Sequence, residues 1–191
     1  IMTMKNGAMS RLSLSSILRM CCGKMPPFVD KSMDLDEASS INRYISPSFA
    51  EGSVVDWFSF NLGYTAFVVR YRNTFMIQDK IKVYIIDNFN ATTLSEYEDI
   101  DVCLLPEYAI GGVTLIAVRH GAKITSSILM PTKRKQGIMR DLYVALTCYF
   151  GSLYSDEVVS PSADRLWQSL MRSDQVDVTD VGSRYLAVCK E

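Results

Sequence analysis

The chain has 191 residues, 48% of them hydrophobic and 21% charged, with a formal net charge of −1. That length suits one globular domain with extensions, and the composition excludes a disordered chain. The near-zero charge excludes a whole-chain attraction to nucleic acid or membrane, so any such attraction must come from local clusters.

The first such cluster is N-terminal. From Ile1 to Met25 the cations Lys5, Arg11, Arg19 and Lys24 stand without a carboxylate, and Asp30, Asp34, Asp36 and Glu37 follow. Residues 1–52, rich in Ser, Met, Pro and charge, are expected to form a basic, amphipathic arm with an acidic linker. Within the arm, Leu12, Leu14, Ile17 and Leu18 gather on one side of a short helix while Arg11 and Arg19 stay outside it. An element of this kind lies on a membrane surface or docks in a partner's groove. The membrane-binding set is therefore Lys5, Arg11, Leu14, Ile17, Leu18, Arg19 and Lys24. Cys21 and Cys22, beside basic residues, are candidates for lipidation, the plainer reading being idle thiols. Pro26, Pro27 and Phe28 form a short extended motif suited to a peptide-binding partner. The run from Leu12 to Cys22 is too short to cross a bilayer and is broken by Arg19. The chain begins with Ile1 rather than Met, which points to a start upstream or to processing.

The globular part, residues 53–191, opens on β-branched and aromatic runs, "VVDWFSFNLGYTAFVVRYRNTFMI" and "KIKVYIID", that predict strands. "NFNATTLSEYED" predicts a short helix capped by Thr92 or Thr93. "DVCLLPEYAI", "GGVTLIAVRHG" and "KITSSILMP" predict three more strands, and "RDLYVALTCYFGSLY" is read as a buried strand, although its apolar run also serves a helix. Lys133, Arg134, Lys135 and Arg140 are the second cationic cluster, a candidate contact for phosphates of RNA or lipid, the plainer reading being a solvated loop. "SPSADRLWQSLMRSDQ" predicts a helix over 162–173 capped by Ser162, and "VDVTDVGSRYLAVCK" a closing hairpin about Gly182-Ser183. The expected fold class is α+β, mostly β, in a single globular domain with an extended N-terminal arm.

Catalytic signals are weak. His120, the one histidine, stands at a strand end where a general base could be exposed, the plainer reading being a solvated loop residue. No nucleophile elbow, phosphate loop or dinucleotide fingerprint occurs. The five cysteines show no ligand spacing, which argues against zinc and for a reducing compartment, and Cys148, within an apolar run, reads as a small buried hydrophobe. No catalytic residue, metal or cofactor is expected.

The order of these features resembles the matrix proteins of rhabdoviruses: the start "SRLSLSSILRM", a basic stretch, "MPPF", an acidic linker, then a mostly β domain. The ending is similar too, with "LYVALTCYF", "SADRLWQSLM" and "VDVTDVGSRYLAV" in the places of a strand, a helix and a terminal two-strand turn. The resemblance implies a non-enzymatic virion protein that self-associates and links the nucleocapsid, or its RNA, to an anionic membrane at the cytoplasmic face of the host cell during assembly and budding. Phe28 directly follows Pro27 where that family carries Pro-Pro-x-Tyr, so host budding factors are left open. The rival reading is a viral capsid or movement-type jelly roll with an RNA-binding arm. Under either reading Ser13 to Phe28 is expected to dock on an adjacent subunit, the alternative being an arm folded back onto its own domain.

Overall fold

The computed structural model describes residues 27–30, 52–61, 63–71, 79–95 and 100–190. The fold is α+β and mostly β, as the sequence predicts. Strand β1 is Phe28–Val29, and β2 (Gly52–Asn61), β3 (Tyr64–Tyr71) and β4 (Lys80–Asp87) follow. Helices α1 (Asn88–Ser95) and α2 (Leu105–Tyr108) precede β5 (Ala109–Val118) and β6 (Gly121–Leu129). Helix α3 (Ile138–Phe150), β7 (Ser152–Tyr154), β8 (Val158–Val159), α4 (Pro161–Leu170), β9 (Val176–Asp180) and β10 (Tyr185–Cys189) complete the chain. Eight strands form one sheet in the order β2-β3-β4-β5-β6-β7-β10-β9. Its first five strands are an antiparallel meander, and β7 joins β6 in parallel after the excursion through α3. Among the described residues this is not the two-sheet, Greek-key arrangement of a jelly roll, so the rival reading does not describe the fold.

Both faces of the central strands are covered. On one face Val68, Val83, Ile85, Val113 and Leu115 pack against Ile138, Leu142 and Leu146 of α3 and Trp167 and Leu170 of α4. On the other Phe67, Val69, Tyr84 and Ile86 meet Ala91, Leu94 and Leu105 of α1 and α2. Burial on both sides explains why β3 and β4 read as near-continuous hydrophobic runs. Lys82, on the second face, is buried with its ammonium 5.8 and 6.0 Å from the ring centroids of Tyr71 and Tyr84, and burial lowers its pKa.

Four local expectations are corrected. "RDLYVALTCYF" is helical: Ile138, Leu142 and Leu146 recur every fourth residue on the buried face, and Gly137 and Gly151, both at φ 80°, bound the run. Only "SLY" of that stretch is a strand, so "LYVALTCYF" does not supply the strand that the resemblance assigned to it. Ser160, not Ser162, caps α4: its hydroxyl accepts from the Ala163 amide at 3.1 Å, with Pro161 at the first helical position. Helix α1 starts at Asn88, where Asp87 Oδ1 accepts from the Asn90 amide, and Thr92 and Thr93 donate to carbonyls one turn back. In "DVCLLPEYAI" Pro106, which has no amide to give a ladder, sits in the first turn of α2, and the strand begins only at Ala109.

Tyr143 of α3 is fully buried, and burial pushes its phenol up to about 12, a hydrogen bond with Ser127 opposing slightly. Below about pH 10 folded and unfolded chains both hold this proton. Between about pH 10 and pH 12 the unfolded chain alone loses it, so stability falls across that window by about 2 to 3 kcal/mol. Burial likewise raises Tyr185, while the lowered Lys82 gives a slope of opposite sign below its ordinary 10.5. Urea titrations across this range should show the loss for the natural chain and a smaller one for Tyr143→Phe.

Candidate functional site

The second cationic cluster lies between the end of β6 and the start of α3. Arg134 Nε donates to the Leu129 carbonyl at 3.0 Å and Gln136 Nε2 to that of Thr132 at 3.1 Å, so the chain itself shapes the loop. Lys135 is exposed at φ 63°, Arg140 is exposed on the first turn of α3, and Lys133 extends its ammonium over the Tyr64 ring, 5.8 Å from the centroid. The ion pairs found among the described residues, such as Lys123 with Asp156 and Lys190 with Asp177, do not involve Lys133, Lys135 or Arg140.

Tyr64 ties this loop to a feature the sequence reading missed. Tyr64 follows the Gly63 turn between β2 and β3, and the Gly63 carbonyl accepts from the Asn88 amide at 2.9 Å. Helix α1 therefore starts on the same turn, and its second residue, Phe89, is 84% exposed, more than any other large hydrophobic side chain described. Lys133, Lys135 and Arg140 on one side and Phe89 on the other thus follow the strand ends at one end of the sheet, where β3 begins and β4 and β6 stop. The only sequence signal was an aromatic residue set among polar ones, "NFNATT", in a segment with no amphipathic stripe to bury it.

A second feature is a groove of about 610 Å³ beside α3. Strands β2 and β10 stand six intervals apart in the sheet, about 29 Å if it were flat, against about 20 Å for a 13-residue helix. Helix α3 nevertheless touches both, so the sheet curls around it and leaves the groove along the seam. Phe60 of β2 and Val144 and Ala145 of α3 give the groove apolar walls, with Asp141, Asp174 and Lys190 as its charged groups. Asn61 Nδ2 donates to Asp141 Oδ2, and Lys190 Nζ donates to the Ser173 carbonyl at 3.0 Å and pairs with Asp177 at 3.3 Å.

The groove also contains the disulfide between Cys148 and Cys189, whose Cα atoms are 5.0 Å apart. Cys148 is exposed on the last turn of α3, which corrects its reading as a small buried hydrophobe. The 41 residues between the two cysteines concealed a proximity that only the packing of α3 on β10 creates. The bond also weighs against reduced thiols throughout the chain. Cys103 is an exposed free thiol whose pKa is raised by a hydrogen bond with Asp101 and by that carboxylate's charge, the wrong direction for a nucleophile.

Lys5, Arg11, Leu14, Ile17, Leu18, Arg19, Cys21, Cys22, Lys24 and Pro26 lie outside the described residues. Pro27 is buried, and Phe28, 67% exposed, pairs in parallel with Val158 of its own domain, the Phe28 amide donating to Glu157 O at 2.9 Å. This corrects the expectation that docking on an adjacent subunit extends to Phe28. It also leaves Pro27 unavailable to a peptide-binding domain unless β1 detaches. His120 is exposed in the turn between β5 and β6, away from the groove, its carbonyl accepting from the Ser152 hydroxyl. Among the described residues no cluster of His, Cys, Asp and Glu could hold a metal ion, and no helix is long and apolar enough to cross a membrane.

No protein-family model, curated protein or solved structure matches the chain.

Proposed function

We propose that this chain is a matrix-type structural protein of a virus, which self-associates and links the nucleocapsid to an anionic membrane face during assembly and budding. The observation that carries the reading is that the cations of the β6–α3 loop and the exposed Phe89 stand at the same end of the sheet. Cations beside an anionic bilayer contribute about 1 kcal/mol each, and an aromatic ring enters the headgroup boundary at little cost. The cationic arm, Lys5 to Lys24, supplies a second basic element of the same chain. The curled sheet leaves a groove in which Phe60, Val144 and Ala145 stand beside two carboxylates, Asp141 and Asp174, and one cation, Lys190, a mixed lining with a net negative charge that suits a basic, leucine-bearing segment such as the arm of a neighbouring copy. Such contacts propagate into lattices. The protein's proposed place is the virion and the cytoplasmic face of host membranes, and the reading assigns it no reaction.

Flotation with vesicles tests this end of the sheet. The full chain should float with vesicles containing phosphatidylserine, should not float with neutral phosphatidylcholine alone, and should release as salt rises. The triple change Lys133→Gln, Lys135→Gln, Arg140→Gln removes about 3 kcal/mol and should lower partitioning roughly 100-fold. Unchanged flotation would make the loop a solvated one. Binding to single-stranded RNA with no vesicle binding would move the cluster to the nucleocapsid side.

A further inference from the structure

We propose that the Cys148–Cys189 disulfide is a thiol-operated lock on the C-terminal strand and on the groove beside it. The pair joins the last turn of α3 to the last residue of β10. Cys189 is also the last rung of the β9–β10 ladder, opposite Val176, and the next residue, Lys190, donates its amide to Gln175 at 3.0 Å. Strand β10 is held by its ladders to β7 and β9 and by the Lys190 contacts, and the disulfide is what fixes its last residue covalently to α3. The neighbouring stretch Asp174–Gln175 forms part of the same groove, so freeing β10 from α3 widens the seam in which Asp141 and Asp174 lie.

The position suits exchange. Cys148 is exposed and opens on a groove of about 610 Å³, so a small thiol reaches its sulfur from solvent. Attack by the thiolate of a low-molecular-weight thiol such as glutathione forms a mixed disulfide on Cys148 and breaks the bond to Cys189. Cys189 leaves as a thiolate and takes up a proton from solvent. A second thiol then displaces Cys148. One protein disulfide and two small thiols become two protein thiols and one small disulfide. A reducing cytosol thus holds the lock open and an oxidising exterior closes it. Under the assembly reading, copies assemble unlocked and are locked on release, but the lock stands on the fold alone.

Full-length protein equilibrated in glutathione and glutathione disulfide mixtures tests it. Alkylation under denaturing, non-reducing conditions and peptide mapping should find Cys148 and Cys189 joined to each other in the oxidised mixtures and labelled only in the reduced ones, while Cys103 is either labelled or carries glutathione. Opening a loop of this span should raise the unfolded fraction by a factor on the order of 10² to 10³. Amide exchange should quicken first in Val176 to Lys190. The variant Cys148→Ser with Cys189→Ser should behave as the reduced protein at every ratio. Full labelling of both cysteines under oxidising conditions would overturn the proposal, as would exchange and stability that ignore the redox ratio. A double variant that still answers to the ratio would place the effect on other thiols. Vesicle flotation of the oxidised protein is independent of all these readouts, so a failed lock and a failed matrix reading are told apart.

Discussion

Replacing Trp167 with alanine is expected to remove about 3 to 5 kcal/mol of stability, the usual cost of emptying a buried tryptophan site. Trp167 is 1% exposed and lies between two rings, edge-on to Tyr143 at 5.5 Å and stacked on Tyr185 at 5.7 Å. It joins α4 to α3 and to β10. The neighbours cannot collapse into the space, because the Tyr185 hydroxyl donates to Asp164 at 2.6 Å and Tyr143 is packed on all sides. Set against the roughly 5 to 15 kcal/mol that holds a domain of this size, the loss is a large share. The melting temperature should fall by roughly 10 °C or more. The other of the two tryptophans, Trp57, is 42% exposed on the edge strand β2. The variant's remaining fluorescence should therefore sit at longer wavelength even before unfolding. A Trp167→Ala protein that melts within a degree or two of the natural chain would show that this ring is not a keystone of the helical layer.

Gly121→Val is expected to be comparably damaging, by a different route. Gly121 starts β6 at φ 142°, a backbone conformation that side-chain-bearing residues rarely adopt. A β-carbon there would lie inside van der Waals contact with the hydroxyl and the carbonyl of Ser152, a collision with backbone that no rotamer relieves. The approach has to be this close because β6 and β7 make the sheet's one parallel pairing, Ala122 to Leu153 and Lys123 to Tyr154, while the Ser152 hydroxyl bonds to the His120 carbonyl. Moving β7 outward separates the β2–β6 meander from β10 and β9. Backbone strain of about 1 to 2 kcal/mol and overpacking of about 1 to 3 kcal/mol combine to a loss of roughly 3 kcal/mol or more. Gly63→Val is the control: a β-carbon at Gly63 meets nothing within 4 Å, so its melt should stay near that of the natural chain. Equal melting of the two variants would refute the close-packing account of Gly121.

The strands with β-branched and aromatic runs were legible because a strand buried on both faces needs nothing but apolar residues, whichever partner it finds. Helix α4 was legible from its apolar stripe, although its cap shifted to Ser160 once Pro161 took the first helical position. Helix α3 was misread because Tyr143, Val144, Ala145 and Leu146 in succession satisfy both periods; the glycines at 137 and 151 were the signal that its thirteen residues form one element. Of the candidate site, the loop cations were visible as charge, whereas the placing of Phe89 at the same end of the sheet was not visible.

By itself the sequence determined composition-level and local matters: a mostly β domain, a cationic N-terminal stretch without carboxylates, the basic stretch from Lys133 to Arg140 and the closing turn at Gly182-Ser183. These follow from side-chain chemistry and short-range backbone preference, which need no distant contact. Tertiary structure alone decided that β2 and β10 approach across α3, that Cys148 meets Cys189, that Phe28 lies on its own domain and that Phe89 stands at the same end of the sheet as Lys133. Each of these joins residues far apart in the chain, and the curl of an eight-stranded sheet around one helix, not any local preference, brings them together.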